Sequence, residues 1–478
     1  MPQPRTWMDR RRRQAARIAL YGSLVLVGGV TAGLVKLLDR PLYGTANEEW
    51  IERDYLSMPE VKLLQEYVRI DTSVTTGDEA AGARFLAAQL EAAGIPARVE
   101  LLGERRANVY ALLEGDDPRP LVLHNHIDVQ PADPSQWFHP PFEAKIDLPW
   151  IYGRGVFDMK SVAIAQLMAI TDLKKSGVRP KRSVLFLATS GEERGSDFGV
   201  LWILREHPEL VRGFWAVLTE GGVLEARARD DFKFWGVEYA QKRFFDLLVC
   251  SDDRQRLEQV RNDLIQLGHT ETDLRLVPEA RTLFKTYAMT RDSPELRRLL
   301  EEPESVLGDI ATFRELPGYI RSMFRNEAVP FPVQEAPGGG YQMVIKLHLL
   351  PHQELTPEII ERLVPSWVTG GLPRVLRPAP VAKGGSPTDH PAFKLVVRTL
   401  QEHYPKVPVG PYFLPWTATD SRFFRSAGVP SYGFSPFLIM NTDTLQVDQA
   451  NERMALPGYV DGVALYREVV RRLAADTE

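Results

Sequence analysis

The sequence predicts an α/β fold with a mixed, mainly parallel sheet. An inserted α+β domain splits it, and an N-terminal transmembrane helix precedes it. Three observations lead there. Strand and helix patterns alternate from Ala97 to Leu218. The texture changes after about Trp235, where short Pro-punctuated segments begin, and the alternation resumes after Pro373-Arg374. Ahead of all this, Ile18 to Val35 is an uncharged run of 18 residues that follows Arg5, Arg10, Arg11, Arg12, Arg13 and Arg17.

At about 1.5 Å rise per residue, that run just crosses a bilayer core. The arginine cluster predicts a cytoplasmic N-terminus, with the rest of the chain on the periplasmic, extracytoplasmic or lumenal side. A cleaved signal peptide is the alternative, with Ala32 and Gly33 in the cleavage site. Pro41 to Glu48 reads as a linker and Trp50 to Ile70 as a helix. Asp78 to Ala93 reads as a second helix, with Asp78 at its N-cap and Gly94 closing it. Strands follow at Ala97–Leu101, Asn108–Leu113 and from Leu121. Val162–Ser176 is a helix, Ser183–Thr189 a strand, Val200–His207 a helix and Phe214–Leu218 a strand. Beyond the change in texture, Arg243–Cys250 and Tyr341–Leu349 read as strands, and Gln255–Leu267 and Pro357–Val364 as helices. Ala392–Tyr404 and Leu456–Ala475 are helices around a short strand, Tyr432–Phe434. The predicted units are a basic tail and anchor (1–40), a first α/β part (47–236), an inserted domain acting as lid or homodimer surface (237–373) and a second α/β part (374–478).

Composition narrows the function. A chain of 478 residues with 44% hydrophobic and 25% charged residues is globular and too long for one ordinary core. A net charge of -5 argues against a nucleic-acid surface. Cys250 is the single cysteine, so neither an intrachain disulfide nor a cysteine-based zinc site is available.

The chemistry concentrates where apolar runs end. Leu121-Val122-Leu123 leads into His124-Asn125-His126-Ile127-Asp128. On a strand, His126 and Asp128 project the same way, which suits a metal ligand beside its orienting acid. A strand tip with satisfied polar residues is the plainer reading. Gly153-Arg154-Gly155 precedes Asp158, Leu185 to Thr189 runs into Glu192-Glu193, and Ala216-Val217-Leu218 runs into Thr219-Glu220-Gly221-Gly222. Ligands bind at the carboxyl ends of strands in open α/β sheets. One imidazole and several carboxylates without cysteine suit zinc or another divalent ion, singly or as a pair.

His126-x-Asp128, Gly153-Arg154-Gly155-x-x-Asp158-x-Lys160, Glu192-Glu193 and Glu220-Gly221-Gly222 together resemble the M20 metallopeptidases. The resemblance is greatest to the branch holding carboxypeptidase S and N-acyl-amino-acid hydrolases. Ile70-x-Thr72-Ser73 and Thr419-Asp420-Ser421-Arg422 also fit it. The resemblance implies a zinc-peptidase-like catalytic domain, with one or two zinc ions or, in their place, manganese or cobalt. It implies His126, Asp158, Glu193 and Glu220 as ligands, Asp158 bridging, and Asp128 holding the His126 ring. Glu192 would be the general base toward a metal-activated water, in hydrolysis of a small peptide or an N-acyl amino acid.

The chain departs from the family pattern in four places. Asp448, in Asp448-Gln449-Ala450-Asn451-Glu452, stands where the last ligand is a histidine. Cys250-Ser251-Asp252 lacks the histidine of the inserted domain's first strand. His348 stands near the inserted domain's usual arginine and, with Arg422, is a candidate for substrate binding. Thr219 replaces a frequent aspartate. A same-fold binding or scaffold protein with weakened catalysis is therefore the rival reading.

Overall fold

A computed structural model describes residues 53–228, 231–268, 273–377, 382–438 and 447–475. The predicted basic tail and membrane helix lie outside the described residues. Among the described residues, no helix is long and apolar enough to cross a membrane.

The framework is a nine-stranded sheet. Its strands are β1 (Ala97–Leu101), β2 (Ala107–Leu113), β3 (Asp117–His126), β4 (Arg182–Thr189), β5 (Ala216–Thr219), β6 (Val223–Ala228), β7 (Asp231–Gln241), β8 (Val409–Leu414) and β9 (Ser431–Gly433). Their order is β1-β2-β4-β3-β5-β9-β7-β8, with β6 beside β7. The centre is parallel: β3 pairs with β4 and β5, and β5 with β9. The edges bring antiparallel pairs.

The apolar runs are continuous because both faces are covered. Leu121, Leu123, Phe186 and Leu218 point into the larger core, which the helices Lys160–Lys175 and Leu456–Ala475 close. Val122, Leu185, Leu187 and Val217 point to the other face, against Val200, Ile203, Phe423 and Phe424. Parallel β3, β4 and β5 therefore deliver His126, the Glu192-Glu193 turn and Glu220 to one sheet edge.

The first helix is shorter than the pattern suggested. It spans Pro59–Val68, and the proline at its start ends the helical reach of the preceding residues. The strand at β7 runs across the boundary drawn at 237. Residues between the two halves of the inserted domain also join the large core: Ala280, Leu283 and Phe284 on the helix Pro278–Tyr287, with Phe313, Ile320 and Phe324. The smaller domain keeps its own core of Leu247, Val249, Leu257, Val260, Ile345 and Leu347. Its sheet sets Arg243–Ser251 between Tyr341–Leu349 and Arg374–Leu376.

A small sheet matters for the site. Arg453–Ala455 pairs with Trp150–Tyr152, which pairs with Lys145–Asp147. That pairing brings Asp448 to Glu452 beside the Gly153–Asp158 loop, and the Gly153 N–H donates to the Glu452 carbonyl at 3.0 Å.

Candidate metal centre

His126 ends β3 and is buried. Its Nδ1 lies 2.9 Å from the main-chain oxygen of Asp128. A ring nitrogen facing a carbonyl carries a proton, so Nε2 is the nitrogen left for an ion once the ring is neutral. Nε2 lies 3.0 Å from Asp158 Oδ1 and 3.7 Å from Glu220 Oε1.

The Asp128 carboxylate takes a different task from the one expected. It sits 3.6 Å from His126 Nδ1. Its oxygens accept the backbone N–H groups of Gly191 at 2.8 Å, Glu192 at 3.1 Å and Glu193 at 3.0 Å. Three N–H donors occupy the carboxylate, and the ring's hydrogen bond goes to the main-chain oxygen of the same residue. Asp128 thus fixes the turn that carries both glutamates. Gly191 and Gly195, at φ 80° and 97°, bracket that turn in the left-handed region that glycine tolerates.

Two groups of ligand atoms converge, each with its atoms within 4.8 Å of one another: His126, Asp158 and Glu220, and Asp158, Glu193 and Asp448. Asp158 belongs to both. Glu193 Oε2 accepts from Gln130 Nε2 at 2.6 Å, whereas Glu193 Oε1 and Asp448 Oδ1 are buried without a hydrogen-bond partner. Buried carboxylate oxygens without donors are what a cation would satisfy, so the residues fit a pair of divalent ions.

Glu452 went unassigned in the sequence, yet it organises the loop beneath Asp158. Its carboxylate accepts Arg154 Nη1 at 2.7 Å, the Phe157 N–H at 2.9 Å and the Gly155 N–H at 3.2 Å. Arg154 also donates to the carbonyls of Asp448 and Pro131, at 3.0 and 3.2 Å. Only its neighbourhood in the Asn451-Glu452 motif hinted at this.

The electrostatics follow from crowding acids in a half-buried site. Burial, then the charge of Asp420, pushes Glu192 up to about 8. Burial, then Asp158, raises Glu193 and Glu220 well above the carboxylate range. Burial, then Asp158 and Glu452, takes Asp448 to about 8. For Asp158, burial pulls upward, but the hydrogen bond and charge of His126 outweigh it and hold the acid low. For His126, burial pulls downward and the charge of Glu220, with the bond to Asp158, prevails and raises it. Glu192 stands beside these ligands and outside both groups.

The remaining predicted residues divide. Arg422 is in the first turn of the helix Ser421–Ser426, its guanidinium over the Phe423 ring at 4.4 Å, and its charge acts on Glu192 and Asp420. Among the described residues it forms no ion pair with Asp420. His348 lies in the smaller sheet, its ring 4.4 Å from that of Phe244, in register with Glu327. Neither ligand group includes it. His124 is a packed strand residue: its nitrogens meet Thr219 Oγ1 at 2.9 Å and Thr189 Oγ1 at 3.0 Å. Burial, then the charge of His126, takes it down to about 3, so it stays neutral.

Residues 122–472 match the sequence profile of peptidase family M20/M25/M40. Over 439 residues the chain is 26% identical to aminoacylase-1A of Rattus norvegicus, covering 87% of this chain and 96% of that relative. Among solved structures, the M20 family metallo-carboxypeptidase Sso-CP2 from Sulfolobus solfataricus shares the fold at TM-score 0.65 and 19% identity, over 87% of this chain and 99% of that one. Human carnosine dipeptidase 1 does so at TM-score 0.62 and 17% identity, over 87% and 96%.

Proposed function

We propose that this chain, which belongs to peptidase family M20/M25/M40 and is a hydrolase, cleaves the amide bond of small peptides or N-acyl amino acids with Glu192 as general base. The observation that carries the reading is the pair of ligand groups sharing Asp158, with a half-buried carboxylate, Glu192, beside them that belongs to neither.

His126, Asp158 and Glu220 would hold one divalent ion, zinc in the first instance, and Asp158, Glu193 and Asp448 the other. Such ions supply Lewis acidity toward a water and an amide carbonyl. Glu192 takes the proton of the attacking water on its carboxylate and returns it to the leaving amine nitrogen. Its raised pKa makes it a stronger base than a solvated glutamate, and nearby cations bring that value back toward neutrality, where a base works best. Arg422, partly buried and in no ion pair among the described residues, suits bidentate recognition of the carboxylate of an acylated amino acid.

Glu192→Gln tests the assignment. Amine release from N-acyl amino acids should fall by ~10²–10⁴, with the metal content unchanged. Full turnover in that variant would remove Glu192 from the mechanism. The sequence also supports a setting: the arginine-flanked run at 18–35 suits a membrane tether, and the exposed strand Arg374–Leu376 of the smaller sheet suits a homodimer contact.

A further inference from the structure

We infer that the two halves of the centre select different ions: the His126 half retains zinc, and the Asp448 half takes an exchangeable, oxygen-seeking ion of the manganese class. The inference rests on the two-ion reading above and adds which residues sort the ions.

The donor atoms differ. The first half offers an imidazole nitrogen and two carboxylates, Asp158 and Glu220. That ring is preset by the 2.9 Å contact of Nδ1 with the Asp128 carbonyl, which leaves Nε2 facing the carboxylates. A fixed imidazole with carboxylates is a zinc donor set.

The second half offers oxygen alone, from Asp158, Glu193 and Asp448. Each of its own two acids is partly engaged elsewhere. Gln130 occupies Glu193 Oε2 at 2.6 Å, leaving Oε1 as the unpartnered atom. Arg154 Nη1 stands 3.9 Å from Asp448 Oδ1, a cation that competes for the same carboxylate. Glu193 is therefore poised as a one-oxygen donor, and Asp448 donates beside a competing cation. Three carboxylates with no nitrogen among them suit an ion that takes oxygens and fills its remaining positions with water, and disfavour a zinc wanting nitrogen. The charges also balance: the carboxylates of Asp158, Glu220, Glu193 and Asp448 neutralise two divalent ions without further protein ligands.

Zinc outranks manganese at any single site of this kind, so the sorting appears as retention rather than absolute affinity. The full chain, loaded with zinc, is dialysed against millimolar Mn2+ without free zinc. Zinc and manganese are then counted by plasma emission, and bound Mn2+ is read by electron paramagnetic resonance. The wild type should keep one zinc and gain one manganese per chain. Asp448→His should keep both zincs and lose the manganese signal. The near-isosteric Asp448→Asn should keep one zinc and take up little manganese. A wild type that keeps both zincs, or exchanges both alike, overturns the sorting and leaves the two-ion reading standing. A chain that takes up neither ion overturns that reading itself.

Discussion

Replacing Glu452 with alanine should unsettle both the fold and the centre. The side chain is 1% exposed and sits opposite Arg154, which is 3% exposed. Removing one partner of a buried ion pair costs about 3–5 kcal/mol, because the other charge stays buried. Here Arg154 keeps two carbonyl partners, at 3.0 and 3.2 Å, which places the loss near the lower end. The N–H of Phe157, now without its 2.9 Å acceptor, adds about 1 kcal/mol. The expected loss is therefore about 4 kcal/mol, to be read as a shift in the urea midpoint of metal-stripped protein at constant slope. Glu452→Gln keeps an oxygen for Phe157 and gives up only the charge, so about 2 kcal/mol is expected. Since the same loop carries Asp158, shared by both ligand groups, the alanine variant should also retain less of either ion in a plasma-emission count. A variant within about 0.5 kcal/mol of the parent, with full metal content, would refute the reasoning.

Three further outcomes follow from the same geometry. Metal-stripped protein should lose stability as pH rises from about 5 to about 8. Glu192 and Asp448 bind protons in the folded state up to about 8 and in the unfolded state only to the ordinary carboxylate range, so the folded state holds more protons across that window. His126, raised when folded, contributes in the same direction. Asp158, lowered, acts only at more acid pH. Thermal melts at stepped pH check this, and a rising midpoint would contradict it. Arg422→Ala should lower kcat/KM by about 10–150-fold for substrates with a free carboxylate, the worth of one charged hydrogen bond. Carboxamide analogues should be affected far less, and an equal loss on both would assign Arg422 to structure. His126→Ala should abolish the zinc retained against manganese, and unchanged retention would displace the centre from β3.

The parts legible in the sequence are those where local pattern and global environment agree. Ala97–Leu101, Tyr341–Leu349 and Leu456–Ala475 appear as read, because each pairs an uninterrupted apolar pattern with a turn or cap at its ends. The strands at Asp231–Gln241 and Val409–Leu414 were not legible. The second contains Gly410-Pro411, which reads as a loop. It is tolerated because this strand is at the sheet edge and pairs only with Asp231–Gln241. At the site, the ligand residue types stood at strand ends and could be gathered. The division of labour around Asp128 could not, since a sequence does not show that three N–H groups 63 to 65 residues away claim its carboxylate. Glu452 is the same case at greater distance, 295 residues from the loop it holds at Phe157.

These arrangements make the centre a liability to the fold until cations arrive. Glu192, Glu193, Glu220 and Asp448 are all raised, which means each resists carrying its charge where it stands. A chain built only for stability would replace such acids with apolar side chains. What keeps them in place is scaffolding outside the two ligand groups: the Asp128 carboxylate on the Gly191–Glu193 turn and Glu452 with Arg154 on the Asp158 loop. The ligands are thus held in position by partners other than the ion, so ion binding need not reorganise the backbone. Binding to the folded state alone then stabilises it by mass action. The same argument orders the two halves. The His126 ring is preset by its contact with a carbonyl, whereas Asp448 lies 3.9 Å from Arg154, so on the two-ion proposal the ion of the Asp448 half should be the first to leave as its concentration falls.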